Sequence, residues 1–285
     1  RDGRIYRRVS DSSDPVPETN RYAVDQLVEA GKDVAKQFER FCRDERTFCE
    51  AESDQGWLNL YLSPYPLGTI SKPDMFSKEG VEGLIQLSRE PITIQSMGAE
   101  FGAGNLPFTS GQIAFGSVIL RQVDQASLAL NSLTAELFIR GQAKLHIPLK
   151  YLPLWPGGAL ENLQSLQAKQ VLEELFEKDQ HNDLSLLRFF DAKHLWTEVM
   201  LLLNYYVAWL GEDVWLPKMR FALTMEGVWR SVPFCDADEW SEYVRRLGLP
   251  VLGKDGIEIP RNIQQGLLMD LNEDSPLWVT ICRII

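Results

Sequence analysis

The stretch LTAELFIRGQAKLHIPLKY, residues 133–151, decides how the chain is read. Leu133, Ala135, Leu137 and Ile139 alternate with Thr134, Glu136 and Arg140. After Gly141–Gln142 the alternation resumes: Leu145, Ile147, Leu149 and Tyr151 against Lys144, His146, Pro148 and Lys150. A strand turns successive side chains to opposite faces, so each half predicts a strand, and Gly141–Gln142 predicts the tight turn of a hairpin. Residues 127–139 also admit a helix, which leaves the start of the first strand open. Pro148 has no N–H for a ladder, which predicts the second strand at a sheet edge.

Upstream, GWLNLYLS at 56–63 is short, apolar and aromatic, as strands are, and PYPLG at 64–68 ends it. Residues 77–89 predict a short helix, and Ile92–Met97 a strand followed by a glycine-rich loop at 98–108. Further back, Val24, Leu27, Val28, Val34, Ala35, Phe38, Phe41 and Cys42 recur at helical spacing over residues 21–50, opposite a charged face.

Downstream, WPGG at 155–158 is the strongest punctuation in the chain, and helices dominate beyond it. Residues 159–179 carry one apolar face. Residues 191–210 are apolar nearly all round, with Asp191 placed to cap the start and Gly211 the end, which predicts a central buried helix. Strands return at 218–234 around the turn pair Glu226–Gly227. A helix over 236–247 has Asp236, Asp238 and Glu239 at its start and Arg245 and Arg246 at its end, matching the helix dipole. A helix at 261–271 and a strand at 277–285 complete the reading. The class expected is α+β: a mixed or antiparallel sheet with several helices, as one domain over residues 21–285, with any subdivision near 156–158, preceded by a flexible, partly basic arm at 1–20.

The chain has 285 residues, 45% hydrophobic and 24% charged, with a formal net charge of −11. This is globular usage, not that of a disordered or disulfide-dense chain. The acidic balance disfavours a phosphate-binding groove and an anionic membrane surface. The exception is the basic arm, Arg1, Arg4, Arg7 and Arg8, through which any nucleic-acid contact is expected. No stretch reaches the length of apolar residues a membrane span needs, and no membrane partner is expected. Cys42, Cys49, Cys235 and Cys282 form no C-x-x-C pair, and Cys42 and Cys49 on one helix would lie ~10 Å apart along the axis, so free thiols in a reducing cytoplasmic or other intracellular compartment are expected.

Candidate chemistry is sparse. The glycine loop reads G-A-E-F-G-A-G, which is neither dinucleotide nor P-loop spacing. Asp191, His194 and Glu198 fall on one helical stripe and are the candidate catalytic residues: a carboxylate, an imidazole and a carboxylate so placed suit a general base with an orienting partner. Each also has a structural explanation, as a cap and an i,i+4 pair. Cys235 precedes an acidic cluster that opposes a reactive thiolate. No metal site and no cofactor are expected. Aromatic residues in the proline-rich loops, Trp57, Tyr61, Tyr65, Tyr151 and Trp155, are the candidate interface residues, since such rings anchor protein contacts. The function expected is therefore a non-enzymatic structural or assembly protein, possibly a subunit of a larger particle, that works through a protein partner or self-association. The alternative is a soluble hydrolase-type or metal-dependent enzyme around Asp191, His194 and Glu198.

Overall fold

The computed structural model describes residues 6–7, 16–17, 24–25, 29, 36–42, 55–64, 70–96, 99–104, 106, 108–122, 132–154, 159–178, 183–211, 219–253 and 256–258. The chain forms two units, Arg1–Thr47 and Phe48–Ile285. In the first, β1 (Tyr6–Arg7) pairs antiparallel with β2 (Val16–Pro17). Residues 36–42 are helical there, with Phe38, Phe41 and Cys42 buried at i, i+3 and i+4 and the Phe38 and Phe41 rings stacked at 6.3 Å.

The second unit is built on an antiparallel sheet that follows the hairpin read at 133–151. Its strands are β3 (Trp57–Pro64), β6 (Ser110–Ile113), β7 (Ser117–Arg121), β8 (Thr134–Phe138), β9 (Ala143–Pro148), β12 (Met219–Glu226) and β14 (Gly256–Glu258). Their order is β14-β12-β3-β9-β8-β7-β6. The β8–β9 turn is four residues long, and Gly141 supplies the positive φ of 76° that it requires. The Gly141 carbonyl accepts from the buried Tyr206 hydroxyl at 2.6 Å. The edge position expected for the second strand is corrected: β9 lies between β3 and β8, and Pro148 is tolerated because it is the last residue of the strand, where its missing N–H leaves the ladder intact.

One sheet face carries Leu58, Leu60, Leu62, Leu120, Ala135, Leu137, Leu145 and Ile147 into the main core. Two helices cover it: α1 (Lys78–Leu87) and α3 (Ala192–Leu210). Asp191 caps α3 as read, its Oδ1 accepting from the His194 N–H at 2.8 Å, and Gly211 follows the last turn. Burial on all sides is met at Val199, Met200, Leu201, Leu202 and Leu203 but not along the whole helix. Lys193 and Ala208 are exposed and Trp196, Thr197 and Val207 half-buried, so α3 is a covering layer.

Against α3, β4 (Ile92–Ser96) pairs with β5 (Ala99–Gly104) as an antiparallel ribbon. The glycine-rich loop expected at 98–108 is thus largely strand. Ala99, Glu100, Ala103 and Gly104 of this segment pair with β4.

A second, small sheet has the order β10-β11-β13, with β10 (Tyr151–Leu152), β11 (Arg188–Asp191) and β13 (Ser231–Phe234). β11 and β13 are parallel. The strands read at 218–234 are present and are divided between the sheets: β12 joins the large one and β13 the small one. Helices α2 (Leu166–Lys178) and α4 (Asp238–Leu247) pack together over this sheet, with Val171, Leu172, Phe189, Val232, Phe234 and Trp240 in a second core. Phe189 faces this core and Phe190 the main one, so β11 is a wall shared by both. The helix read at 261–271 and the strand at 277–285 lie outside the described residues. Among the described residues no helix is long and apolar enough to cross a membrane.

Candidate functional site

The parallel pair β11 and β13 gives the small sheet two chemically different ends. At the C-terminal end each strand runs directly into a helix, β11 into α3 and β13 into α4. Helix N-termini concentrate unsatisfied N–H groups and partial positive charge, so carboxylates gather there.

Asp191, His194 and Glu198 stand here, but they do not form a relay. Asp191 is committed to the α3 cap, and its own N–H donates to the Lys150 carbonyl at 3.0 Å. His194 Nε2 lies 3.1 Å from Glu198 Oε1. That hydrogen bond and the Glu198 charge raise the His194 pKa above its usual 6.5, against partial burial and the charge of Lys150, with Asp191 adding a smaller push upward.

Cys235 follows β13 directly. Burial raises its thiol pKa, with Asp191, Asp236 and Glu239 adding to the effect and Lys193 opposing it. A protonated thiol is a poor nucleophile, so this end pairs a base with an orienter but places no activated nucleophile beside them. The acidic cluster is absorbed by capping. Asp236 accepts from the N–H groups of Gln164 and Ser165 at 2.7 and 2.9 Å. Ser165 Oγ donates to Asp238 at 2.6 Å and accepts from the Ala168 N–H at 3.0 Å. Asp236 and Asp238 thus tie the start of α2 to the start of α4. Among the described residues no group of three or more His, Cys, Asp or Glu is arranged to hold a metal ion.

The N-terminal end of the small sheet is apolar and exposed. Arg188 reaches under the Gly227–Arg230 turn, donating to the Gly227 and Trp229 carbonyls, and its guanidinium lies 4.7 Å from the centre of the Tyr151 ring. Arg230 holds a positive φ of 57°, the one non-glycine residue to do so among those described. This turn presents Trp229, which is 50% exposed. Backbone bonds from Arg188 N–H to the Arg230 carbonyl and from Arg230 N–H to the Leu252 carbonyl bring Leu186 and Val251 to the same edge. Both are exposed, as are Tyr243 and Leu247 on the last turns of α4 just before this segment.

The large sheet also has an unusual second face. Opposite its core-facing residues, register places Thr224, Asn59, His146 and Thr134 in one row across four strands. Asn59 Oδ1 lies 2.8 Å from His146 Nδ1, and Asn59 Nδ2 donates to Thr224 Oγ1 at 3.3 Å. One row on, Ser117 Oγ donates to Glu136 Oε1 at 2.7 Å. Lys144 and His146 are 3% and 1% exposed, so this polar face is as buried as the apolar one. The alternation at 133–151 places these residues on the second face but carries no signal of its burial.

Of the aromatic interface candidates, Trp57 and Tyr61 lie in this second face and are 1% and 5% exposed, and Tyr151 is half-buried beneath Arg188. Burial takes Trp57 and Tyr61 off any exposed contact surface. Tyr65 and Trp155 lie outside the described residues. Trp229 was the aromatic not singled out, although its place in a turn between strands, flanked by Val228 and Arg230, was readable. Arg7 belongs to β1, while Arg1, Arg4 and Arg8 lie outside the described residues, as do Cys49 and Cys282. Cys42 and Cys235 are free thiols. No family model, no curated protein and no solved structure matches the chain in sequence or fold comparison.

Proposed function

We propose that this chain works by binding another protein through the Trp229 edge of its small sheet. The observation that carries the reading is a half-exposed tryptophan on a turn braced from beneath by Arg188, with Leu186 and Val251 exposed at the same edge and Tyr243 and Leu247 exposed on the last turns of α4. Braced aromatic residues with an apolar surround are what protein interfaces use as anchors. Arg230 beside Trp229 and Arg246 beside Tyr243 are exposed, on a chain whose net charge is −11. The partner that fits is a protein segment with apolar anchors and carboxylates.

A photo-crosslinking residue in place of Trp229, introduced in the cell of origin, tests this. The expected result is one defined crosslinked protein, whose purified form binds the wild-type chain and binds Trp229→Ala at least about tenfold more weakly. No crosslinked partner, or equal binding of the two forms, overturns it.

A second reading, a hydrolase-type enzyme, is favoured by the 3.1 Å contact between His194 and Glu198. It expects ester or amide hydrolysis that is abolished in His194→Gln, a variant whose cap at Asp191 stays in place.

A further inference from the structure

The geometry points to self-association of the chain through the free edge of β6, two copies pairing their large sheets antiparallel about a two-fold axis. This inference is independent of the Trp229 edge, which belongs to the other sheet.

β6 ends the strand order, and among the described residues no strand pairs with its outer side. Ala114 N–H donates to the Ser117 carbonyl at 2.9 Å. In an antiparallel ladder directly opposed residues alternate between bonded and non-bonded pairs. Gln112 and Ser110 therefore spend their N–H and C=O groups on β7, and those of Gly111 and Ile113 point outward. That arrangement is self-complementary. With the axis at Gln112, Gly111 of each copy meets Ile113 of the other, and four backbone hydrogen bonds form.

Soluble proteins blunt such edges with lysine, proline or bulges. Here the opposite holds. Residues 101–120 contain no Asp, Glu, Lys, Arg or His, in a chain where 24% of residues are charged. The β6 strand, Ser-Gly-Gln-Ile, pairs with β7 without a register shift. Ile113 is 52% exposed, and Phe115, in the middle of the three-residue loop between β6 and β7, is fully exposed.

The charge pattern selects a second copy as the occupant. In this two-fold contact Gln112 meets its own symmetry mate, so a charge there would meet its like. Two copies of a chain of net charge −11 repel, and this neutral edge adds no like charges to the contact. α1 covers one face of the strand close enough that a Cβ on Gly111 would lie 2.5 Å from Val81, so the edge is held in place for pairing.

The test is sedimentation of the full chain from roughly 1 to 100 μM, with two variants. Ile113→Pro removes an outward N–H and leaves every bond to β7 in place, and Gln112→Lys brings two ammonium groups together at the axis. The expected result is a concentration-dependent dimer, strengthened by added salt as the acidic bodies are screened, with the dissociation constant raised at least about tenfold in both variants while their circular dichroism stays that of the wild type. If Ile113→Pro does not fold, Gln112→Lys decides alone. A monomer at every concentration, or a dimer that the folded variants leave unchanged, overturns the inference.

Discussion

His194 and Glu198 are neighbours one turn apart on α3, and their contact makes stability depend on pH. His194 has a pKa above its usual 6.5 in the folded chain because of the Glu198 hydrogen bond and charge. A group raised on folding adds its full stabilisation below the unfolded value, and loses it as pH rises through the folded value. Glu198→Gln removes that stabilisation. The melting temperatures of wild type and Glu198→Gln should therefore differ most at acid pH, below about 6.5, and converge above the raised value. Thermal melts across pH check this, and a difference independent of pH contradicts it. Asn59 poses a different residue-scale problem, since it joins His146 to Thr224 inside a buried face. Asn59→Leu strips both of that partner. The expected loss is about 1–3 kcal/mol, read as a lower urea midpoint with an unchanged slope.

At the scale of elements, helix starts and strand edges explain most of the polar groups. The Asp191 side chain is the N-cap of the longest described helix, so Asp191→Ala should cost about 1 kcal/mol in urea unfolding. Gly141→Ala should cost at least about 1 kcal/mol, because the turn needs a positive φ and a Cβ there would lie 3.0 Å from Ile70. Two of the described edge strands, β13 and β6, are handled in opposite ways. β13 contains Pro233, and its outer carbonyls are taken: Trp240 Nε1 donates to Pro233 at 3.0 Å and Leu252 N–H to Ser231 at 2.9 Å. β6 has neither device. The contrast between one closed edge and one open edge is the element-scale reason for assigning self-pairing to β6.

At the scale of the second unit, two cores share one wall. Phe189 and Phe190 are consecutive residues of β11 that fill different cores. Phe190→Ala opens a cavity in the main core and should cost about 3–5 kcal/mol. Because β11 belongs to both cores, the small module should lose stability with the large one. The variant should melt in a single transition by both far- and near-ultraviolet circular dichroism. Two separate transitions would show that the cores fold independently. The polar anchors at one end of β11 and β13, and the apolar anchors at the other, follow from the same wall. Parallel strands place both helix N-termini at one end and leave the connecting turns at the other.

The amino-acid sequence by itself determined the α+β class, the β8–β9 hairpin, the β3, β4, β12 and β13 strands and the helices α1, α2, α3 and α4. Each rests on local periodicity or on a cap such as Asp191, and such signals need only neighbouring residues. Only the tertiary structure decided the rest. β12 pairs with β3, more than a hundred residues away, and β13 with β11, about forty away, so the turn signal at Glu226–Gly227 was no guide to which sheet each strand would join. The polar row from Thr224 to Thr134 exists only once four strands are in register, because residues far apart in sequence become neighbours at strand spacing. Exposure was the least legible quantity. Trp57 and Trp229 are the same side chain, one buried and one presented, and what separates them is the set of elements that fold over each.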